Sequence, residues 1–169
     1  MSVFSLSAAL ALSTLSLTAA ATSHSHHSHH MGDYSAQFAS AELTDQVRAE
    51  QCWVRLLPAN VPSAGYFILH NDTPQPVQVV AAATPSYNHV MLHETIEQDG
   101  MAKMVMAEQI EIPAQGHLVF KPQGLHAMFE DPTGQLKVGD SMSMELLLDH
   151  AKKISMNCKV KPANARQFD

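Results

Sequence analysis

Residues 87–108 read YNHVMLHETIEQDGMAKMVMAE, and this stretch decides the fold. Apolar and polar residues alternate on both sides of Asp99-Gly100, and an Asp-Gly dipeptide between two such runs is a strong signal for a two-residue hairpin turn. With the turn centred there, residues pair across the hairpin as Gln98–Met101, Thr95–Met104 and His93–Met106. The stretch therefore predicts two antiparallel strands, over 87–97 and 101–108.

Short runs of similar character continue on either side of this hairpin, separated by Pro, Asn, Asp and Gly. They predict strands over 52–57, 64–71, 77–83, 116–121, 125–129, 141–148 and 154–160. No long amphipathic helix is evident, and residues 33–49 read as a polar connector with one short helical turn around 41–49. The pattern indicates an all-β protein, an antiparallel sandwich or barrel.

The N-terminal segment differs in composition from the rest of the 169 residues. Residues 1–21 are apolar or small and end in three alanines, which predicts a secretory signal peptide, although the segment lacks Lys and Arg. An uncleaved anchor and a mis-assigned start are the alternatives. We expect a His-rich flexible segment over 22–48, a β-sandwich domain over 49–162 and a C-terminal tail over 163–169.

The formal net charge of −6 and the absence of a basic cluster argue against a nucleic-acid partner. No later segment is a candidate membrane span, so we expect no stable membrane insertion after signal removal. We also expect the protein to be a monomer. The two cysteines, Cys52 and Cys158, either join the first and last strands in a disulfide or remain buried thiols.

Four residues point to chemistry: His93, Met104, His126 and Met128. Thioethers are soft, neutral ligands that suit Cu(I) and suit hard ions poorly. Met104 is a diagonal neighbour of His93 across the hairpin, and His126-x-Met128 projects two side chains to one side of a strand. If that strand lies beside the hairpin, the four ligands converge. A blue-copper centre would need a Cys thiolate, and a structural zinc site would normally recruit Cys or a third His. Neither Cys lies near these four residues in the sequence, so the pattern favours a Cu(I) site.

The other methionines and histidines have more ordinary interpretations. Met106 is a possible auxiliary ligand and His89 a spare one. The remaining methionines of the strands are expected to fill the core: Met91, Met101, Met142, Met144 and Met156. His70, His117 and His150 read as isolated surface or capped residues.

A His-rich stretch, SHSHHSHHM, occupies residues 23–31. Flexible imidazoles of this kind can chelate Cu(II), Zn(II) or Ni(II), and a purification tag is the alternative interpretation. The auxiliary metal-binding candidates are His24, His26, His27, His29 and His30.

At the four ligands the chain resembles the periplasmic copper chaperones of the PCu(A)C family, whose motif is H-x10-M-x21-H-x-M. The resemblance extends over roughly residues 50–160 and includes the Asp99-Gly100 turn and the Ala64-Gly65-Tyr66 strand. It implies a cupredoxin-like β-sandwich in the periplasm, without a redox centre, that binds Cu(I) through His93, Met104, His126 and Met128. It also implies copper delivery toward the dinuclear centre of cytochrome c oxidase, with an oxidase subunit or a thiol copper chaperone as partner. Family extensions rich in His and Met bind Cu(II) but are C-terminal, whereas this His-rich stretch is N-terminal.

Two other function classes remain open from the sequence. A sequestration or scavenging protein would bind copper or zinc mainly through the His-rich stretch. A copper-dependent oxidase or dismutase would need a substrate pocket or a general base, and the sequence offers no arrangement for either, so we expect no enzyme.

Overall fold

The structure is a computed structural model that describes residue 1 and residues 33–58, 60–107 and 109–168. The signal peptide predicted over 1–21 and the His-rich stretch therefore lie outside the described residues, apart from Met1. From residue 33 onward, the described residues form one compact unit. In the part of the chain that the structure describes, no helix is long and apolar enough to cross a bilayer.

Eleven strands and one short helix are present in the described residues. They are α1 (Ser35–Ser40), β1 (Glu42–Leu43), β2 (Val47–Arg55), β3 (Ser63–Asn71), β4 (Val77–Ala83), β5 (Tyr87–Gln98), β6 (Met101–Met106), β7 (Ile110–Ile112), β8 (His117–Phe120), β9 (His126–Pro132), β10 (Ser141–Leu148) and β11 (Lys152–Lys161).

The strands follow one hydrogen-bonded path in the order β6-β5-β9-β3-β2-β11-β10-β4-β7, with β8 also on β3 and β1 also on β11. The β1–β11 and β2–β11 pairs are parallel, and the other described pairs are antiparallel. One apolar core receives side chains from along this path, from Leu92 on β5 and Phe129 on β9 to Leu146 on β10 and Ile112 on β7. The sheet therefore folds over so that its apolar face is buried against another part of the same sheet, and the predicted β-sandwich is confirmed.

The hairpin has the predicted register. Asp99 and Gly100 both have positive φ, 54° and 74°, as a type I′ turn requires. The pairs Gln98–Met101, Thr95–Met104 and His93–Met106 all form.

The connector predicted over 33–49 is wrong, and the sandwich begins before residue 49. The helical turn lies at Ser35–Ser40, and strands β1 and β2 begin at Glu42 and Val47. The segment is held by packing, because Phe38 and Tyr34 pack against a small cluster formed by Ala41 with β4 and β10.

The two cysteines form a disulfide. Cys52 on β2 and Cys158 on β11 are buried, with their Cα atoms 4.4 Å apart and 106 residues apart in sequence. They continue the parallel register in which Trp53 pairs with Lys159. Neither sulfur lies on the strands that carry the candidate metal ligands.

Candidate metal centre

The two histidines of the motif face each other across neighbouring strands. His93 on β5 is the direct partner of His126 on β9, and their ring centroids lie 6.1 Å apart at an interplanar angle of 74°. Both are buried, with 9% and 6% of their surface exposed. Two imidazoles are therefore held together on a sheet face, where burial limits their exchange with water.

Thioethers flank this pair on the same face. The strand order β6-β5-β9 makes Met106–His93–His126 one row across three strands. Since side chains alternate, the rows two residues away also project to this face. One contains Met104, opposite Thr95, and the other contains Met128, opposite Met91. The four residues of the motif thus share one face of the three adjacent strands β6, β5 and β9, which we call the ligand face.

Met106 lies closer to the histidines than the motif suggests. Its Sδ is 2.8 Å from His93 Nε2, so this thioether and this imidazole already face one point. Met104 and Met106 keep 52% and 42% of their surface exposed, and Met128 is half-buried. The hairpin register predicted the Met106–His93 pairing, although the motif alone singled out Met104.

The tautomer of His126 is fixed by the turn before it. Its Nδ1 lies 2.8 Å from the carbonyl oxygen of Gly124, and because a carbonyl only accepts, Nδ1 must carry the proton. The same carbonyl accepts the backbone N–H of Thr95, which ties the turn to the hairpin. In the neutral imidazole, Nε2 is then the nitrogen with the lone pair that a metal ligand needs.

The protonation of His93 also suits a ligand. Burial lowers the pKa of His93, and the nearby His126 lowers it further, while Glu130 opposes the shift. Near neutral pH the ring is therefore uncharged. Its Nδ1 is buried without a hydrogen-bond partner in the described structure, whereas its Nε2 faces Met106 Sδ, so Nε2 is the nitrogen placed to bind a metal beside the thioethers.

The donor set fits a soft monovalent ion better than zinc. Within the described ranges, no group of three or more His, Cys, Asp or Glu side chains is arranged to hold a metal. Both cysteines are bonded to each other, so no thiolate contributes. Imidazole nitrogen and thioether sulfur remain, and this combination suits Cu(I).

The cross-strand row of Met106, His93 and His126 continues into an aromatic wall formed by Tyr66 and Trp53. The sequence analysis did not predict this wall. Tyr66 on β3 lies 6.4 Å from the His126 ring, and Trp53 on β2 lies 4.5 Å from the Tyr66 ring, centroid to centroid. Arg55 donates a hydrogen bond to the Tyr66 hydroxyl. Burial raises the pKa of Tyr66, although Arg55 acts in the opposite direction. The alternation of β3 could have revealed this wall, since Ala64 and Tyr66 share the face that meets Met128 and His126.

Residues near the C-terminus pack against that wall. Ala165 and Phe168 pack against Trp53 and Tyr66, and Lys161 Nζ donates to the carbonyl of Phe168. Part of the predicted tail over 163–169 is therefore packed on the sheet.

Several methionine and histidine predictions are settled by burial. Met142, Met144 and Met156 are core residues, as predicted. Core filling is wrong for Met101, which is 70% exposed, and for Met91, which lies half-buried on the ligand face. His89 is exposed opposite Glu130, two residues beyond the row of Met91.

The chain matches the model of the LpqE-like lipoprotein family over residues 47–160. A protein of Rickettsia prowazekii (strain Madrid E), named uncharacterized protein RP573, is 30% identical over 99 residues, which are 58% of this chain and 55% of that protein. The chain thus matches about half the length of this curated relative.

Solved structures show the same fold. The solution structure of Cu(I)-DR1885 from Deinococcus radiodurans is 31% identical with a TM-score of 0.58, over 78% of this chain and 88% of that one. The copper-bound PCuAC domain from PmoF2 is 18% identical with a TM-score of 0.58, over 69% and 93%, which shows the fold alone. These likenesses confirm the cupredoxin-like sandwich, and the match over residues 47–160 shows that the chain belongs to the LpqE-like family, a PCu(A)C-type copper-chaperone family.

Proposed function

We propose that this protein is a periplasmic copper chaperone that binds one Cu(I) ion through His93, Met104, His126 and Met128. One observation carries the proposal: the buried His93–His126 pair is flanked by thioethers on the same sheet face. The Cu(I)-bound state of DR1885, at 31% identity, supports the choice of metal.

The ligands explain why the protein would carry copper rather than retain it. Imidazoles and thioethers are neutral, so the bound centre keeps the single positive charge of Cu(I) and lacks the stronger attraction of a thiolate. Transfer to an acceptor that offers thiolates is then favourable. No redox step is involved, and the role is not enzymatic.

The exposure of the ligands indicates the route of transfer. β6 is an edge strand, and Met104 and Met106 on it are about half exposed, whereas both histidines are buried. An acceptor would approach from β6 and replace the thioethers first. The recipient that we propose is a copper-accepting protein such as a cytochrome c oxidase subunit or a thiol copper chaperone, and the His-rich stretch would bind Cu(II).

The test is a Cu(I) titration of the apo-protein against a competing chelator. We expect one tight site, weakened at least about 100-fold in His126→Ala, because losing even a group that only orients a ligand costs about 10–100-fold. Met101→Leu is the matched control, since Met101 is an exposed thioether on the opposite face of β6. A tight site that survives in His126→Ala would contradict the proposal.

The sequestration alternative is separated by deleting residues 23–31. If copper transfer to an oxidase apo-domain survives this deletion, the chaperone role holds. If all tight metal binding disappears with it, the His-rich stretch is the main metal site and the chaperone role fails.

A further inference from the structure

A second pair of imidazoles faces across neighbouring strands, away from the candidate metal centre. His70 on β3 is the direct partner of His117 on β8, with ring centroids 6.0 Å apart. This separation matches the 6.1 Å of the His93–His126 pair. His70 lies four residues beyond Tyr66 on the same face of β3, about 13 Å along the strand, so the two pairs are separate places.

A carboxylate lies beside the second pair. Glu50 Oε2 is 3.2 Å from His70 Nε2, yet this buried nitrogen makes no hydrogen bond in the structure. Two donors that share a tetrahedral ion at about 2.1 Å from it lie about 3.4 Å apart. His70 and Glu50 therefore already have the spacing that a shared metal ion would impose.

The surrounding charges favour a cation. Arg48 lies on β2 directly opposite His70, and it forms ion pairs with Glu50 Oε1 and with Asp72. Two carboxylates more than offset its positive charge, and they leave Glu50 Oε2 facing the imidazole. The cluster thus has a net charge of −1 when both histidines are neutral, which attracts a metal ion.

We propose that His70, His117 and Glu50 form a second site, for a borderline divalent ion such as Zn(II) or Cu(II). Imidazole and carboxylate donors suit these ions, and no thioether is present to favour Cu(I). In the described structure the three side chains do not yet surround one point. His117 is exposed, and its side chain turns toward the ion on binding.

The probe is Zn(II), added to the full-length protein while the side-chain NMR signals of individual histidines are followed. Zinc is taken well beyond one equivalent, so that other histidines, including those of residues 23–31, are saturated and recognised by their own signals. His150 is the matched control: its Nε2 lies 3.6 Å from Asp149, but among the described residues the imidazole pairs are His70–His117 and His93–His126.

We expect the signals of His70 and His117 to change together, at a zinc concentration at least about tenfold below that of His150. Losing even a group that only orients a ligand costs about 10–100-fold in affinity, and a second imidazole ligand should contribute at least as much. His117→Ala, a change at an exposed position, moves the His70 midpoint up by a similar factor, and His150→Ala does not move it. A His70 midpoint equal to that of His150, or one unchanged in His117→Ala, overturns the proposal. The Cu(I) titration is independent of either result.

Discussion

Removing the Cys52–Cys158 disulfide should destabilise the sandwich substantially without removing the Cu(I) site. The bond closes a loop of 106 residues between two adjacent strands. The chain-entropy relation for a loop of this length gives about 4.8 kcal/mol of stabilisation at 25 °C. For a compact unit of about 140 residues, with an unfolding entropy of about 0.3 kcal/mol/K, this corresponds to a fall in Tm of about 15 °C.

The assay is thermal unfolding of apo wild type and of a Cys52→Ala/Cys158→Ala double variant, followed by circular dichroism. The alanines also prevent new thiols from binding Cu(I), so the same variant can be titrated with copper. Because neither cysteine lies on β5, β6 or β9, one tight Cu(I) site should remain below the new Tm. A Tm change under about 3 °C would refute the entropic argument. Loss of the site in a variant that is still folded would refute the separation of the disulfide from the metal ligands.

Three further changes test how the fold supports the ligand face. Gly65→Ala should lower the free energy of unfolding in urea by about 1–3 kcal/mol, because the new Cβ would lie 2.7 Å from the ring of the fully buried Phe129. Gly134→Ala is the control, since the space around Gly134 is open, and it should change the free energy of unfolding by less than about 0.5 kcal/mol. Gly100→Ala should cost about 1–2 kcal/mol in the same assay, because φ is +74° there, and a cost near zero would show that the turn differs from the one described. Met106→Leu should weaken Cu(I) binding in the chelator competition if its contact with His93 reflects shared coordination, and an unchanged affinity would leave the motif methionines as the sulfur ligands.

The hairpin could be predicted from the sequence because its information is local. The Asp99-Gly100 turn fixes the register by itself, and every pair then follows from alternation. The contact between His93 and His126 could not be predicted in the same way. It depends on how β9 fits between β5 and β3, where Gly65 leaves room for the Phe129 ring.

Strand β1 and the first residues of β2 were missed for a different reason. Arg48 and Glu50 project from the outer face of β2, so the region reads as polar although Val47 is buried. β1 is only two residues long and is held by backbone hydrogen bonds to the turn before β11 and to β11 itself. No side-chain pattern in the sequence records such bonds.

X-ray absorption at the copper edge of the protein loaded with one equivalent of Cu(I) tests the central claim most directly. The structure places imidazole nitrogens and thioether sulfurs, but no thiolate, on the ligand face. We therefore expect about two sulfur and two nitrogen neighbours around copper, with sulfur scattering reduced in a Met104→Leu/Met128→Leu variant. A first coordination sphere of nitrogen and oxygen alone would contradict the account.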